Sequence, residues 1–237
     1  MPHATATRSS PGSQGLFRRL LRENGLSLTM LTIFALCMVG QISSGHQVFN
    51  DELSSQGAAE VSLAAYLASG HFLEATAENW ESEFLQMAGY VLFTSFLFQR
   101  GSAESKSLHD KEAVDRDPRL AARKKNVPWP VRRGGWVLKI YEYSLTIALL
   151  LLFAISFFLH AVGGVREYNL EQVQQGAAAL TLSQFFGTSA FWFQSFQNWQ
   201  SEFFSLVVMS LLSIFLRQRG SPESKPVDAP HDQTGSE

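Results

Sequence analysis

Four stretches of the chain are apolar almost without interruption, at about 26–43, 84–99, 143–162 and 203–216. Polar sequence separates them and does not show the alternation of a β-strand. From Glu83 to Arg100 a helix rises about 26 Å at ~1.5 Å per residue, close to the thickness of a hydrocarbon core. The pattern therefore predicts four helices that cross a membrane. A cleaved signal peptide, with Ser43 and Gly45 near the cut, competes for the first stretch. The third stretch, deep in the chain, has the same context and cannot be a signal, which favours a retained span.

The second and fourth stretches sit in matching frames. Residues 79–106 read NWESEFLQMAGYVLFTSFLFQRGSAESK and residues 198–225 read NWQSEFFSLVVMSLLSIFLRQRGSPESK. At the same offset Asn50, Glu52 and Gln56-Gly57-Ala58-Ala59 recur as Asn169, Glu171 and Gln175-Gly176-Ala177-Ala178. Each unit reads as span, polar loop, aromatic-rich approach, span and basic exit. Two spans per unit insert both units in one direction, a parallel duplication. The expected fold is all-α, an integral membrane four-helix bundle built from two parallel, non-inverted helical-hairpin repeats.

The domain plan follows. Residues 1–25 form an N-terminal segment with a short interfacial helix over 15–24, where Leu16, Phe17, Leu20 and Leu21 oppose Arg18, Arg19 and Arg22. Repeat one covers 26–106, a charged linker 107–135, repeat two 136–225, and a disordered tail 226–237. Trp129 and Trp136 beside the Pro128 and Pro130 breaks suit the membrane interface.

Charge orients this plan. All but one (Arg166) of the 19 Lys and Arg residues fall in the N-terminus, in or beside the linker, or in the C-terminal region. The positive-inside bias puts both termini and the linker in the cytoplasm and the two acidic loops outside. A net charge of −2 offers nothing to a nucleic acid, and the single Cys37 permits no disulfide within the chain.

The N-W-E-S-E-F-L-Q run at 79–86 and the Q-R-G-S-x-E-S-K exits after two of the four spans resemble an uncharacterised domain-of-unknown-function family of four-span bacterial inner-membrane proteins. The likeness covers most of the chain from Leu16 to Lys225. It implies a multi-pass protein of the bacterial inner membrane and brings no activity, cofactor or catalytic residue.

Candidate chemistry comes from the repeated polar residues. Asn79 and Glu83 lie one turn apart on one helix face at the outer boundary, as do Asn198 and Glu202. Gln41 and His160 occupy equivalent places near the outer ends of the first and third spans. Together these six residues could hold a proton or cation. The competing reading, and the stronger one from sequence, leaves the glutamates solvated in the headgroups. His71, Glu74 and Glu78 have ligand-like helical spacing, yet the set occurs once only and an exposed acidic face explains it, so no metal site is expected. At the exits, Arg100 and Arg219 snorkel and Gly101 and Gly220 take left-handed caps. The recurrent Glu-Ser-Lys is left for a cytoplasmic partner or for duplication alone.

The sequence holds no phosphate-binding loop, dinucleotide glycine fingerprint, paired-cysteine motif, HExxH helix or G-x-S-x-G elbow. The expectation is a non-enzymatic membrane protein with a structural, regulatory or envelope-stress role and no cofactor. The alternative is a small oligomeric transporter of ions, protons or solutes using the paired outer carboxylates. The expected partners are the lipid bilayer and a second copy of the chain.

Overall fold

The computed structural model describes residues 13–109 and 111–235, with side chains from Arg18 onward. Expectations for residues 1–12 lie outside the described residues. Among those described the chain is all-α, with no strand. Eight helices follow one another: α1 (Ser13–Ser55), α2 (Leu63–Leu67), α3 (Gly70–Thr94), α4 (Trp129–Arg133), α5 (Gly135–Glu142), α6 (Ser144–Gln174), α7 (Leu182–Phe185) and α8 (Ser189–Phe215). Short 3₁₀ turns at Ala113–Asp115 and Pro118–Ala121 shape the linker.

This corrects the expected four-helix bundle of two hairpins. The chain forms two compact units, through Leu67 and from Ala68, so the division falls inside the first expected hairpin. The most extensive helix pairing joins α3 to α6, across the two sequence repeats. Glycine decides that pairing. A Cβ on Gly70 would meet the Gly163 carbonyl oxygen at 2.8 Å and the Glu167 amide nitrogen at 2.9 Å. A Cβ on Gly164 would meet the Phe185 ring at 2.9 Å. The two backbones approach because small residues leave the space, as they do between membrane helices.

The helix ends depart from the apolar stretches: α1 and α6 run past theirs, while α3 and α8 begin well before theirs and α3 already ends at Thr94, short of the expected 99. Charges bound an apolar stretch in sequence, but they do not end a helix that keeps its backbone bonds. α3 begins fourteen residues before the second apolar stretch, since Ser69 caps it by accepting from the Phe72 amide at 3.2 Å. Its first half therefore carries Glu74, Glu78, Glu81 and Glu83. By length and composition, two helical segments among the described residues suit a membrane crossing, Arg18–Ser55 and Ser144–Gln174. They are consistent with membrane association.

In the first unit, α1 bends at Asn24, whose φ of −129° and ψ of 15° are not helical. The short basic segment before it thereby parts from the apolar run after it. Leu26, Leu36 and Val39 are among the many large apolar side chains that α1 leaves exposed. Beyond it the loop is tied down: Asn50 Oδ1 accepts from the Val61 amide at 2.8 Å and Asn50 Nδ2 donates to the Val61 carbonyl at 3.2 Å. Tyr66 of α2 is buried beside Phe49 and against Gly45.

The second unit repeats that loop. Asn169 Oδ1 accepts from the Leu180 amide at 2.7 Å, and Asn169 Nδ2 donates to the Leu180 carbonyl at 2.8 Å. Gly57 and Gly176 both stand at φ 75° just past their helices, a turn only glycine takes without strain. The core gathers Ala161, Phe185 and Phe191, with Phe157, Tyr168 and Phe186 packed around them. α8 crosses α3 at matched positions: Gln86 Nε2 donates to Ser205 Oγ and to the Glu202 carbonyl, each at 2.8 Å.

Candidate functional site

Beside that aromatic core lies a set of polar side chains from α3, α6 and α8. Glu81 and His160 are both fully buried. His160 Nδ1 donates to Glu81 Oε2 at 2.8 Å, and Trp199 Nε1 donates to Glu81 Oε1 at 2.7 Å. Both carboxylate oxygens are thus satisfied, as a buried acid requires. The far side of the imidazole faces α8, with Nε2 3.4 Å from Gln194 Oε1. Gln194 Nε2 donates to Glu74 Oε1 at 2.7 Å, and Asn198 Nδ2 donates to Glu78 Oε1.

Local rules place each member. Glu74, Glu78 and Glu81 follow one another at helical spacing down the α3 face that meets α6. The Gly163–Gly164 step lets that face come close, with Glu74 Oε1 only 3.1 Å from where a Gly164 Cβ would stand. Gln194 and Asn198 are one turn apart on α8, whose start is fixed by Thr188 accepting from the Phe191 amide at 3.3 Å. One oxygen each of Glu74 and Glu78 and one nitrogen of His160 lie within 4.8 Å of one another. Imidazole and carboxylates in that arrangement can hold a proton or a divalent cation.

The residues singled out from sequence are distributed differently. His160 is in the network and Asn198 borders it. Asn79 and Glu83 are exposed, and Asn79 donates to its own helix at Ala75. Glu202 is half-buried, and its backbone carbonyl accepts from Gln86 of α3 at 2.8 Å. Gln41 belongs to α1 of the first unit. Glu74 and Glu78 converge on His160, and the ligand-like set with His71 does not form. Glu81 was missed. It corresponds to Gln200 in the repeat, and attention to shared residues hides members that occur once.

The twin exits fold alike. Ser105 Oγ accepts from the Gln99 amide at 3.0 Å and Ser224 Oγ from the Gln218 amide at 2.9 Å. Gly101 and Gly220 take φ of 84° and 85° in loop turns, but they cap no helix: α3 ends at Thr94 with Ser95 as its cap and α8 at Phe215 with Leu216, so the expected helix-cap role is corrected. The lysines then part. Lys106 pairs with Asp115 at 2.7 Å and holds that carboxyl below its ordinary range by the hydrogen bond it gives. Lys225 is buried and donates to the carbonyls of Gly101, Pro230, His231 and Gln233 at 2.7 to 3.2 Å. Residues 226–235, expected as a disordered tail, thus lie on the first exit loop, where Thr234 Oγ1 also accepts from the Gly101 amide. Burial raises the Glu104 carboxyl above its ordinary range, and the nearby Glu223 adds to the rise.

A family model for a domain of unknown function, DUF6766, matches residues 17–236. The chain belongs to this family. No curated protein and no solved structure gave a match. Within this DUF6766 member, the buried network between α3, α6 and α8 is the strongest concentration of chemistry among the described residues.

Proposed function

We propose that this DUF6766 protein is a non-enzymatic, multi-pass protein of the bacterial inner membrane, with both termini cytoplasmic. In this reading α3 and α8 also cross the membrane, in addition to the two helical segments that suit a crossing by length and composition. The basic linker and exits support that orientation, and the lipid bilayer covers the apolar side chains α1 and α6 leave exposed. His160 then stands about 24 Å along α6 at ~1.5 Å per residue, close to the outer boundary of the core.

The network at that level is read as a regulatory element that takes up a proton or cation and so changes how α3 packs on α6 and α8. The buried Glu81–His160 pair carries this reading. A scaffold has no need to bury an imidazole and its carboxylate partner, which cost several kcal/mol to desolvate. His160 faces Glu81 of α3 and neutral Gln194 of α8, and one oxygen each of Glu74 and Glu78 lies within 4.8 Å of one of its ring nitrogens. Hydrogen–deuterium exchange across pH 5–8, on the full chain in nanodiscs with EDTA present, tests it. Protection of residues 70–83 should depend on pH in the wild type and lose that dependence in His160→Gln. Identical profiles in the two proteins reject the regulatory reading.

The second reading is structural. It is favoured by the full satisfaction of Glu81, whose two oxygens tie α6 and α8 to α3. A protein whose network variants lose stability without any pH-dependent change in protection would establish it.

A further inference from the structure

We infer that Glu74, Glu78 and His160 form a binding site for one divalent first-row transition-metal ion, with the side-chain oxygen of Gln194 as a fourth ligand. The inference deepens the network reading and rests on it, replacing the unspecified cation with a class of ion.

The argument starts from the imidazole. His160 is fully buried, and its Nδ1 gives its hydrogen to Glu81 at 2.8 Å. In the neutral ring that leaves a lone pair on Nε2. What Nε2 faces is an oxygen, Gln194 Oε1 at 3.4 Å. Two acceptors opposed in a buried place need a cation between them. The amide cannot turn to relieve this, because its Nε2 already donates to Glu74 Oε1 at 2.7 Å. Turning it would set oxygen against carboxylate.

A proton on Nε2 satisfies that one contact, while Glu74 and Glu78, each holding one amide hydrogen from α8, keep their charges facing the same space. A divalent ion satisfies all four groups. Four ligands about 2.1 Å from a tetrahedral ion stand roughly 3.4 Å apart, the separation that His160 Nε2 and Gln194 Oε1 already have. One oxygen of each glutamate lies within 4.8 Å of the other's and of an imidazole nitrogen, and side-chain rotation closes the rest. A carboxylate holding the far nitrogen of a metal-binding histidine is the usual outer support of such a site, and Glu81 occupies that place. Imidazole with carboxylate and amide oxygens suits Zn²⁺, Fe²⁺ and Mn²⁺. Half-buried Glu78 stands at the rim, where an ion enters.

The test uses the full chain in detergent micelles, stripped with EDTA and titrated by calorimetry with Zn²⁺ and Mn²⁺. One ion per chain is expected. Glu78→Gln and His160→Gln should each weaken binding at least tenfold, and Glu81→Gln by roughly ten- to a hundredfold. Co²⁺ in the wild type should give visible bands of a four-coordinate site that Glu78→Gln abolishes. The exposed Glu83→Gln should bind as the wild type does. If His160→Gln fails to fold, the rim variant Glu78→Gln decides the matter. Absence of saturable binding by the wild type overturns the inference, as does undiminished binding by Glu78→Gln or an equal loss in Glu83→Gln. Those results leave the pH-dependent protection of the network, measured with EDTA present, as a separate outcome.

Discussion

Gly163 of α6 lies so close to the backbone of Glu74 on α3 that a side chain there has no room. A substitution to alanine already forces the helices apart, and leucine forces them further. Overpacking of this kind costs about 1–3 kcal/mol. Gly163→Leu should lower the thermal midpoint in detergent and detach Glu74 from Gln194. Gly40→Ala, in open space on α1, should be neutral or slightly stabilising. Equal midpoints for the two variants would reject the crossing.

The Glu81 carboxylate is the second point of failure. Glu81→Ala leaves His160 and Trp199 without their acceptor in a buried place. Breaking such a pair costs about 3–5 kcal/mol, against well under 1 kcal/mol for exposed Glu83→Ala. Denaturant unfolding in mild detergent measures both.

At the exits, Lys225→Met removes the ammonium that gathers four carbonyls. Leaving such acceptors unpaired costs about 1–3 kcal/mol locally, enough to free the tail. Proteinase K should then remove residues beyond 225 about tenfold faster than in the wild type. An unchanged cleavage rate would show that the tail is not held by this lysine.

Glu104 sets a pH dependence at the same loops. Its carboxyl is raised by burial and by Glu223, so the folded exits favour the protonated form. Its contribution is therefore fully present below the ordinary carboxylate value of 4.5 and is lost as pH rises through the raised folded value. The side chain is partly solvated, which limits the effect to under about 1 kcal/mol. Glu104→Gln should flatten the stability profile between pH 4 and 7. A slope that survives the substitution belongs to another group.

Orientation is tested at His109, an exposed linker residue. In a Cys37→Ser background, His109→Cys should react with a membrane-impermeant maleimide only after the cells are permeabilised. Labelling of intact spheroplasts would reverse the proposed topology.

Local chemistry was legible wherever a residue acts on its own neighbourhood. The left-handed turns at Gly101 and Gly220 could be read because only a residue without a side chain takes that backbone freely, although neither glycine caps a helix. The apolar runs of α1 and α6 declared themselves by length and composition. The recurrent Ser of the exits needed the structure, since its bond to an amide six residues back depends on how the loop closes.

The sequence by itself determined the helical class, the apolar runs and the matched turns, because these rest on spacing and on backbone freedom within a few residues. Only the tertiary structure decided which helix lies on which. The closeness of α3 to α6 depends on Gly70 meeting Gly163, far along the chain, and no period in the chain encodes that meeting. The site inherits the same limit. Glu81 and His160 sit on separate helices at positions the duplication does not share, and packing alone makes them partners.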